Sequence, residues 1–364
     1  MGKRIKRRKD GRYECKYTVQ TASGPKRRSV YGVSQREVTD KLARLVSESL
    51  DGLVFDAGNI TVEEYMNRWL ADSVDGSVKR RTYESYLSIV GRHVNPALGR
   101  MKLEALSPIH VQGLYRVKLD EGLSPTTVEH IHTTLHRALK QAVKWRLIRG
   151  NVCEAVSVPK RRSPEMTPLS PEQAKVFLRA AEGDRHEALY VLALTTGMRQ
   201  GEILGLLWGD VDLTGRVLRV RRSLVTGYGK QTYESPKSAK SRRSISLTRR
   251  AVSALSAHRE RQREEGLHAE DGPVFCNRVG GPLHPKNLMD RHFRPMLRRV
   301  GLPPIRFHDL RHTAATLLLS KGVHPKICSE MLGHANVSIT LDVYSHCLPN
   351  MQGPATSAMD DALT

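Results

Sequence analysis

The chain has 364 residues, more than one ordinary core needs and enough for two or three domains. Lys and Arg total 59 against 37 Asp and Glu, which gives a formal net charge of +22. Self-repulsion from such a charge opposes compaction, so a polyanion is the natural partner. No segment supplies the roughly 18 uncharged apolar residues of a membrane span, and no apolar stretch follows the basic N-terminus as in a secretory signal. The composition therefore argues against a membrane protein and favours a cytoplasmic protein that binds nucleic acid.

The five cysteines are odd in number and widely scattered. They are Cys15, Cys153, Cys276, Cys328 and Cys347. None belongs to a Cys-x-x-Cys pair, so their spacing fits neither a disulfide framework nor a zinc ribbon. We interpret them as reduced thiols.

Residues 1–55 are predicted to form a small α+β domain. Strict alternation of apolar and polar residues over Tyr13–Val19 indicates a half-buried strand. A second strand is predicted near Val30-Tyr31. Ser34 and Glu37 then form a capping box at the start of an amphipathic helix. A small sheet with one helix and a basic face suits binding in a DNA groove.

The cations of this first block are candidates for DNA contacts. They are Lys3, Arg4, Lys6, Arg7, Arg8, Lys16, Lys26, Arg27 and Arg28. A disordered, solvated tail is the alternative interpretation of the basic run at the N-terminus.

Residues 59–158 have helical periodicity and predict an all-α domain, separated from the first block by a glycine-containing linker. The clearest helical segments are Val62–Leu70, Arg80–Val90 and Val128–Ile148. In the last of these, Lys140 and Lys144 lie off the apolar stripe and could contact phosphates. A solvated surface explains these two charges equally well.

Residues 165–364 are predicted to form a mainly α domain with a small β-sheet, after a basic linker bounded by two prolines. Ser170 and Gln173 form a capping box at a helix start. Strand-like alternation appears at Val217–Val225 and again at Ser244–Leu247. Helical patterns then extend from about residue 286 to the end.

This third block contains several short motifs in a fixed order. They are Thr196-Gly197-Met198-Arg199-Gln200-Gly201-Glu202, Pro236-Lys237-Ser238, His308-Asp309-Leu310-Arg311-His312 and Leu332-Gly333-His334, followed by Tyr344. Together they resemble the tyrosine recombinase, or phage integrase, family, whose pattern is Arg, Lys, His-x-x-Arg, His or Trp, then Tyr. The pattern falls on Arg199, Lys237, His308, Arg311, His334 and Tyr344 with no position missing. The resemblance is strong over the third block and is one of architecture alone over the first two.

The chemistry of these side chains agrees with the resemblance. Attack on a phosphodiester builds negative charge on the nonbridging oxygens, and the planar forks of Arg199 and Arg311 can bind those oxygens bidentately. Tyr344 would supply the attacking oxygen; since a phenol ordinarily has a pKa of about 10, it must lose its proton as it attacks. His308 is the expected proton acceptor or orienting partner.

The resemblance implies roles for the remaining residues. Lys237 would protonate the leaving 5′ oxygen, although Lys240 is chemically equivalent. His334 would donate a hydrogen bond to the scissile phosphate. Glu202, one helical turn after Arg199, would hold the site in shape. His312 either does the same or is a packing histidine.

We expect neither a metal ion nor a cofactor. The sequence has no His-Glu-x-x-His motif for a metal site and no Gly-x-x-x-x-Gly-Lys-[Ser/Thr] loop for a nucleotide. A phosphotyrosine link would conserve the energy of the cleaved bond, so that rejoining requires no nucleotide.

The extra N-terminal block favours an arm-binding integrase of a temperate phage or integrative element. Such an enzyme would act as a homotetramer on double-stranded DNA with core-type and arm-type attachment sites, in the cytoplasm of a bacterial host and on its nucleoid. A host DNA-bending protein and an excisionase are possible further partners. The alternatives are DNA relaxation of the type IB topoisomerase kind, a chromosome-dimer resolvase, and a DNA-binding regulator with a decayed active site.

Overall fold

An antiparallel sheet packed on one helix begins the chain. Strands β1 (Lys6–Arg7), β2 (Tyr13–Thr21) and β3 (Gly24–Gly32) are hydrogen-bonded in the order β1-β2-β3, and helix α1 (Gln35–Leu50) follows. Cys15, Tyr17 and Val30 of the sheet are buried against Val38 of the helix. Both predicted strands and the helix are confirmed.

The computed structural model describes residues 5–21, 24–50, 60–160, 167–227, 230–235, 242–334, 336–344 and 352–363. The chain divides into two compact units, Met1–Ser163 and Pro164–Thr364. Most of both predicted linkers lies outside the described residues. Within the first unit, the core of the small sheet and the core of the helical region are separate hydrophobic clusters.

The rest of the first unit is helical, as predicted. Its helices are α2 (Val62–Trp69), α3 (Arg80–Ile89), α4 (Asn95–Leu98), α5 (Pro108–Asp120) and α6 (Pro125–Lys144). The apolar stripe of α6, which includes Val128, Ile131 and Leu135, is fully buried. This stripe turns Lys140 and Lys144 outward to solvent.

The second unit combines helices with short strands. The helices are α7 (Pro171–Ala180), α8 (Glu187–Thr196), α9 (Gln200–Leu204), α10 (Arg249–Glu264), α11 (Pro285–Leu288), α12 (Arg294–Arg299), α13 (Phe307–Ser320), α14 (Pro325–Leu332), α15 (Val337–Tyr344) and α16 (Gln352–Leu363). The strands are β4 (Val211–Asp212), β5 (Val217–Val220), β6 (Ser223–Gly227), β7 (Lys230–Glu234) and β8 (Arg243–Ser246). Helix α8 is buried on nearly every side and forms the centre of the core.

The strand predicted over Val217–Val225 is wrong as a single element. The chain forms β5 and β6, which belong to different sheets, ordered β4-β5-β8 and β6-β7. Between them, Arg222 turns inward and its Nη1 bonds Oδ2 of the buried Asp210 at 2.5 Å. Nη1 of Arg221 lies 3.7 Å from Oδ1 of the same carboxylate, so both residues between β5 and β6 pair with Asp210. The strand predicted at Ser244–Leu247 is confirmed within one residue as β8.

Cys15, Cys153, Cys276 and Cys328 are free thiols, as the scattered spacing predicted; Cys347 lies outside the described residues. Among the described helices, none combines the length and apolar character that a membrane crossing requires.

Candidate active site

Arg199 lies at a sharp junction between two helices. Helix α8 ends at Thr196, and Gly197 follows with a φ of +62°, a left-handed conformation that glycine adopts without strain. A Cβ atom at this position would overlap Leu332 Cδ2. The turn places Arg199 at the N-cap of α9. The predicted junction between two helices is therefore confirmed, and it needs glycine both for its backbone and for its packing.

Glu202 is a buried carboxylate shared by two arginines. Its Oε1 accepts a hydrogen bond from Nη1 of Arg199 at 2.8 Å, and its Oε2 accepts one from Nη2 of Arg243 at 2.9 Å. Burial alone would raise the pKa of this carboxyl, but the hydrogen bonds and charges of Arg243 and Arg199 outweigh burial and hold that pKa below its usual value. The ionised carboxylate therefore fixes two guanidinium groups beside each other.

Arg311 is held by backbone carbonyls from two other elements. It extends from α13, and its Nη1 donates to the carbonyl oxygen of Gly197 at 2.9 Å and to that of Leu332 at 2.7 Å. Nη2 of Arg199 donates to the carbonyl oxygen of Gly333 at 3.3 Å. Both predicted arginines therefore meet at the C-terminal end of α14.

His334 follows Gly333, the residue that caps the C-terminal end of α14 with a φ of +70°. Its Nδ1 lies 2.7 Å from the hydroxyl oxygen of Thr340, a fully buried residue of α15. Burial, followed by the charges of Arg311 and Arg199, lowers the pKa of His334 to about 4. The imidazole is therefore neutral at pH 7, and its orientation is set by Thr340.

The first turns of α13 carry His308 and His312, the other two histidines of the predicted site. The rings of His308 and His312 pack edge to face, with their centroids 4.9 Å apart. Desolvation by the surrounding protein, followed by the charges of His312 and Arg311, lowers the pKa of His308 to about 4. Burial also lowers the pKa of His312. His308 keeps an exposed surface, whereas His312 is half-buried against it.

The sequence-predicted residues are thus brought together in part. Arg199, His308, Arg311 and His334 influence one another electrostatically and belong to one cluster. Lys237 and its alternative, Lys240, lie outside the described residues. Tyr344 is the last residue of α15, the helix that also carries Thr340. The side chain of Tyr344 is not among those that the structure describes.

Two residues of the cluster were missed from the sequence. Arg243 binds the carboxylate of Glu202, and Thr340 binds His334. A signal for Arg243 was present, because strand alternation places it on the same face as the buried Ile245. An inward-facing charge requires a partner of opposite charge. For Thr340 the local sequence offers no comparable signal.

The N-terminal sheet separates the predicted DNA-binding cations between its two faces. Cross-strand neighbours share a face, and Cys15 and Val30 face α1. The opposite, open face carries Lys6, Arg8, Glu14, Lys16, Arg27, Ser29 and Tyr31. The guanidinium carbon of Arg8 lies 5.2 Å from the centroid of the Tyr31 ring. This open face combines cations with polar and aromatic groups.

The other cations of the predicted set are placed differently. Arg7 pairs with Tyr13 on the helix side of the sheet, with its guanidinium carbon 5.9 Å from the ring centroid. Lys26 and Arg28 pair in register with Val19 and Tyr17, respectively. Lys3 and Arg4 lie outside the described residues, and Lys140 and Lys144 are exposed on α6.

The chemistry of the cluster is that of an anion site with proton acceptors beside it. Guanidinium groups bind oxyanions through charge-assisted hydrogen bonds, and neutral imidazoles accept protons. Within the ranges that the structure describes, no three His, Cys, Asp or Glu side chains are grouped so as to hold a metal ion.

Comparison with known proteins gives the family. The model described as the phage integrase family matches residues 168–351, and the model of the phage integrase N-terminal SAM-like domain matches residues 61–119. The chain is 31% identical to a XerC-like tyrosine recombinase of Caldanaerobacter subterraneus subsp. tengcongensis, covering 92% of each protein. It is 33% identical to an integrase of Streptomyces ambofaciens, covering 86% of this chain and 83% of that protein.

Solved structures share the fold. The Tn1549 transposon integrase in complex with a circular intermediate DNA superposes with a TM-score of 0.68 at 21% identity, covering 84% of this chain and 100% of that one. A lambda integrase tetramer bound to a Holliday junction gives a TM-score of 0.60 at 20% identity, covering 93% and 97%. The chain therefore belongs to the phage integrase family and is a site-specific tyrosine recombinase, an enzyme that breaks and rejoins DNA strands.

Proposed function

We propose that this recombinase integrates a mobile DNA element, and excises it, by forming a covalent 3′-phosphotyrosine link through Tyr344. The observation that carries the proposal is the convergence of Arg199, Arg311 and His334 at the end of α14. The biological role is supported by relatives such as the ICEBs1 integrase of Bacillus subtilis, which is 26% identical over 91% of each chain.

The cluster fits a phosphodiester under nucleophilic attack. The side chain of Arg199 is 40% exposed although Glu202 holds its Nη1, so it can meet a phosphate without losing its orientation. Since Thr340 engages Nδ1 of His334, Nε2 is the nitrogen assigned to a phosphate oxygen. Removing one such donor typically costs about 10²–10³-fold in rate.

In the cleavage step, the phenol oxygen of Tyr344 bonds to phosphorus and the bond from phosphorus to the 5′ oxygen breaks. His308 accepts the phenol proton; a bound phosphate anion favours its protonated form and so raises its pKa from about 4. Lys237 donates the proton that the 5′ oxygen gains, with Lys240 as the alternative donor. Attack by the 5′ hydroxyl of a partner strand reverses these steps, so rejoining requires no external energy.

We assign the parts of the chain as follows: residues 1–55 bind arm-type sites, residues 59–158 bind core-type sites, and residues 165–364 carry out catalysis. The first assignment is supported by the open sheet face with Lys16 and Arg27. The second is supported by the SAM-like match and by the exposed Lys140 on α6.

The assembly assigned to the reaction is a homotetramer on DNA. The support comes from the lambda integrase tetramer on a Holliday junction, whose fold this chain shares. Strand exchange between two duplexes involves cleavage of four strands, which four protomers can provide with one nucleophile each.

The nucleophile is tested with the full chain and a nicked suicide substrate that carries an attachment site. The unchanged protein should form a covalent adduct that resists denaturation, whereas Tyr344→Phe should form none and still bind the DNA with unchanged affinity. Tyr233→Phe, which removes a hydroxyl from a tyrosine that is 42% exposed, is the matched control and should form the adduct at the unchanged rate. An adduct formed by Tyr344→Phe would show that another residue is the nucleophile.

A further inference from the structure

The segment that carries Lys237 follows a hairpin packed on α9. Gly201 of α9 and Gly205, which caps this helix, allow the backbones of α9 and β6 to approach closely. A Cβ atom at Gly201 would lie 2.5 Å from Ser223 Oγ, and one at Gly205 would lie 2.9 Å from the backbone nitrogen of Leu224. Strand β6 pairs with β7, which ends two residues before the segment 236–241. The N-terminal side of this segment is therefore tied to the helix that carries Glu202.

The C-terminal side of the same segment is tied to the same helix through Arg243. This arginine begins β8, where it pairs with Val220 of β5. Its side chain is 7% exposed, and its Nη2 lies 2.9 Å from Oε2 of Glu202. Its Nε donates to the carbonyl oxygen of Met331 at 2.7 Å. One guanidinium thus connects β8, α9 and the last turn of α14.

Arg243 also supports the loop that carries His334. A Cβ atom added to Gly333 would lie 2.8 Å from Nη1 and 3.0 Å from Cζ of Arg243, so the glycine backbone packs directly against the guanidinium. The carbonyl of that same Gly333 accepts a hydrogen bond from Arg199. Arg199 is therefore oriented by Arg243 along two routes, one through Glu202 and one through the end of α14.

We propose that Arg243 is a positioning residue for recombination, which holds Arg199 and His334 in a fixed geometry for the scissile phosphate. The inference rests on the proposed function. Arg243 acts through Glu202 and the backbone of α14. A lysine could reproduce one of its contacts at a time, because only the guanidinium presents Nε and Nη2 in a rigid fork.

The test compares Arg243→Gln with Arg242→Gln in the full chain. Both variants remove one positive charge at neighbouring positions, and Arg242 is exposed. In single-turnover cleavage of the suicide substrate, Arg243→Gln should be slower by about 10–100-fold, the size of effect that outer groups orienting metal ligands have. Arg242→Gln should remain within about twofold of the unchanged protein, and Arg243→Lys should fall between the two.

Two modified substrates show whether a slower rate of Arg243→Gln comes from misplaced phosphate-binding groups or from a loss of fold. A methylphosphonate at the scissile position lacks one charged nonbridging oxygen and so depends less on the guanidinium groups. There the deficit of Arg243→Gln should shrink to about threefold or less, because the role of Arg243 is to direct cations at that charge. A substrate with sulfur in place of the 5′ bridging oxygen needs no proton donor, and on it the deficit should persist.

The outcomes are distinct. A deficit of equal size on the phosphodiester and the methylphosphonate, or a rate for Arg243→Gln equal to that of Arg242→Gln, would overturn the positioning role. Rescue by the sulfur substrate alone would also overturn it, since that result would place the effect of Arg243 on the proton donor. If the unchanged protein forms no adduct, the proposed function itself fails; if it does and Arg243→Gln is unimpaired, this inference alone fails.

Discussion

Gly197→Ala is the most informative single change in the cluster, because it tests the junction on which both arginines depend. Gly197 has a φ of +62°, and an added Cβ atom would overlap the side chain of Leu332. The carbonyl oxygens of these same two residues accept the hydrogen bonds of Arg311 Nη1. To accommodate the methyl group, either the buried Leu332 side chain must leave its rotamer or the ends of α8 and α14 must separate. Since Leu332 is fully buried, we expect a shift of the helix ends, which costs Arg311 the geometry of at least one anchor.

The expected destabilisation has two parts. A side chain in the left-handed region costs about 1–2 kcal/mol, and forcing a methyl group into a packed site typically costs about 1–3 kcal/mol more. Gly197→Ala should therefore lower the free energy of unfolding of the catalytic unit by about 2–5 kcal/mol, taking both parts together. Gly183→Ala is the matched control, since Gly183 has a φ of +75° with no atom within 4 Å of the added Cβ, and it should cost only the first part.

The assay combines stability with chemistry. Urea denaturation, with hydrogen exchange followed in peptides from α8 and α14, reports the stability of the junction in both variants. Single-turnover adduct formation should slow by about 10–100-fold in Gly197→Ala, because misplacement by about 1 Å can cost this much, and should be unchanged in Gly183→Ala. Equal destabilisation by the two substitutions, or an unchanged cleavage rate in Gly197→Ala, would refute the packing argument.

Two further predictions address the histidines. Thr340→Val removes the hydroxyl beside His334 Nδ1 and should slow adduct formation about tenfold, the equivalent of one hydrogen bond of about 1.4 kcal/mol. Thr340→Ser keeps the hydroxyl and should cleave at the normal rate. A fully active Thr340→Val variant would exclude this orienting role. His186 is 4% exposed, and burial, followed by the charge of His292, lowers its pKa to about 4. Because the unfolded chain then binds more protons between about pH 4 and pH 6.5, stability should rise with pH across that window and be lost on acidification, by up to about 3 kcal/mol. The urea midpoint should depend less on pH in His186→Gln than in the unchanged protein. Identical pH profiles of the two proteins would contradict the assignment of this pH dependence to His186.

Features that depend on interactions between neighbouring residues, or on the period of a single element, were predictable from the sequence. The capping box of Ser170 and Gln173 forms as expected, with Gln173 N donating to Ser170 Oγ at 3.2 Å and Ser170 N donating to Gln173 Oε1 at 2.9 Å. The alternation in β2 likewise separates a buried face from an open one. The capping box is formed by residues close in sequence, and the two faces of β2 follow from the two-residue period of a strand.

Features fixed by distant contacts were not predictable. The break between β5 and β6 falls at Arg221 and Arg222, which both pair with the buried Asp210, and nothing in the local pattern identifies that partner. Arg243 was missed although strand alternation turns it inward, because the chain contains 59 Lys and Arg residues and the local sequence does not identify a partner as remote as Glu202. The order of the proposed catalytic residues, from Arg199 to Tyr344, was recognisable only because it resembles a family pattern.

The charge balance of the cluster explains why Glu202 is compatible with an anion site. Arg199, Arg243 and Arg311 contribute one positive charge each, and Glu202 contributes one negative charge. The groups that anchor Arg311 are neutral carbonyls. While His308 and His334 are neutral, the cluster therefore has an excess of two positive charges. A phosphodiester carries one negative charge, and its five-coordinate transition state carries about two. Under the proposed function, the cluster is therefore matched to the charge that appears during attack, and interactions that strengthen between substrate and transition state are those that accelerate a reaction. A second carboxylate beside Arg311 would lower that excess to one positive charge, which matches the bound phosphodiester and no longer the transition state.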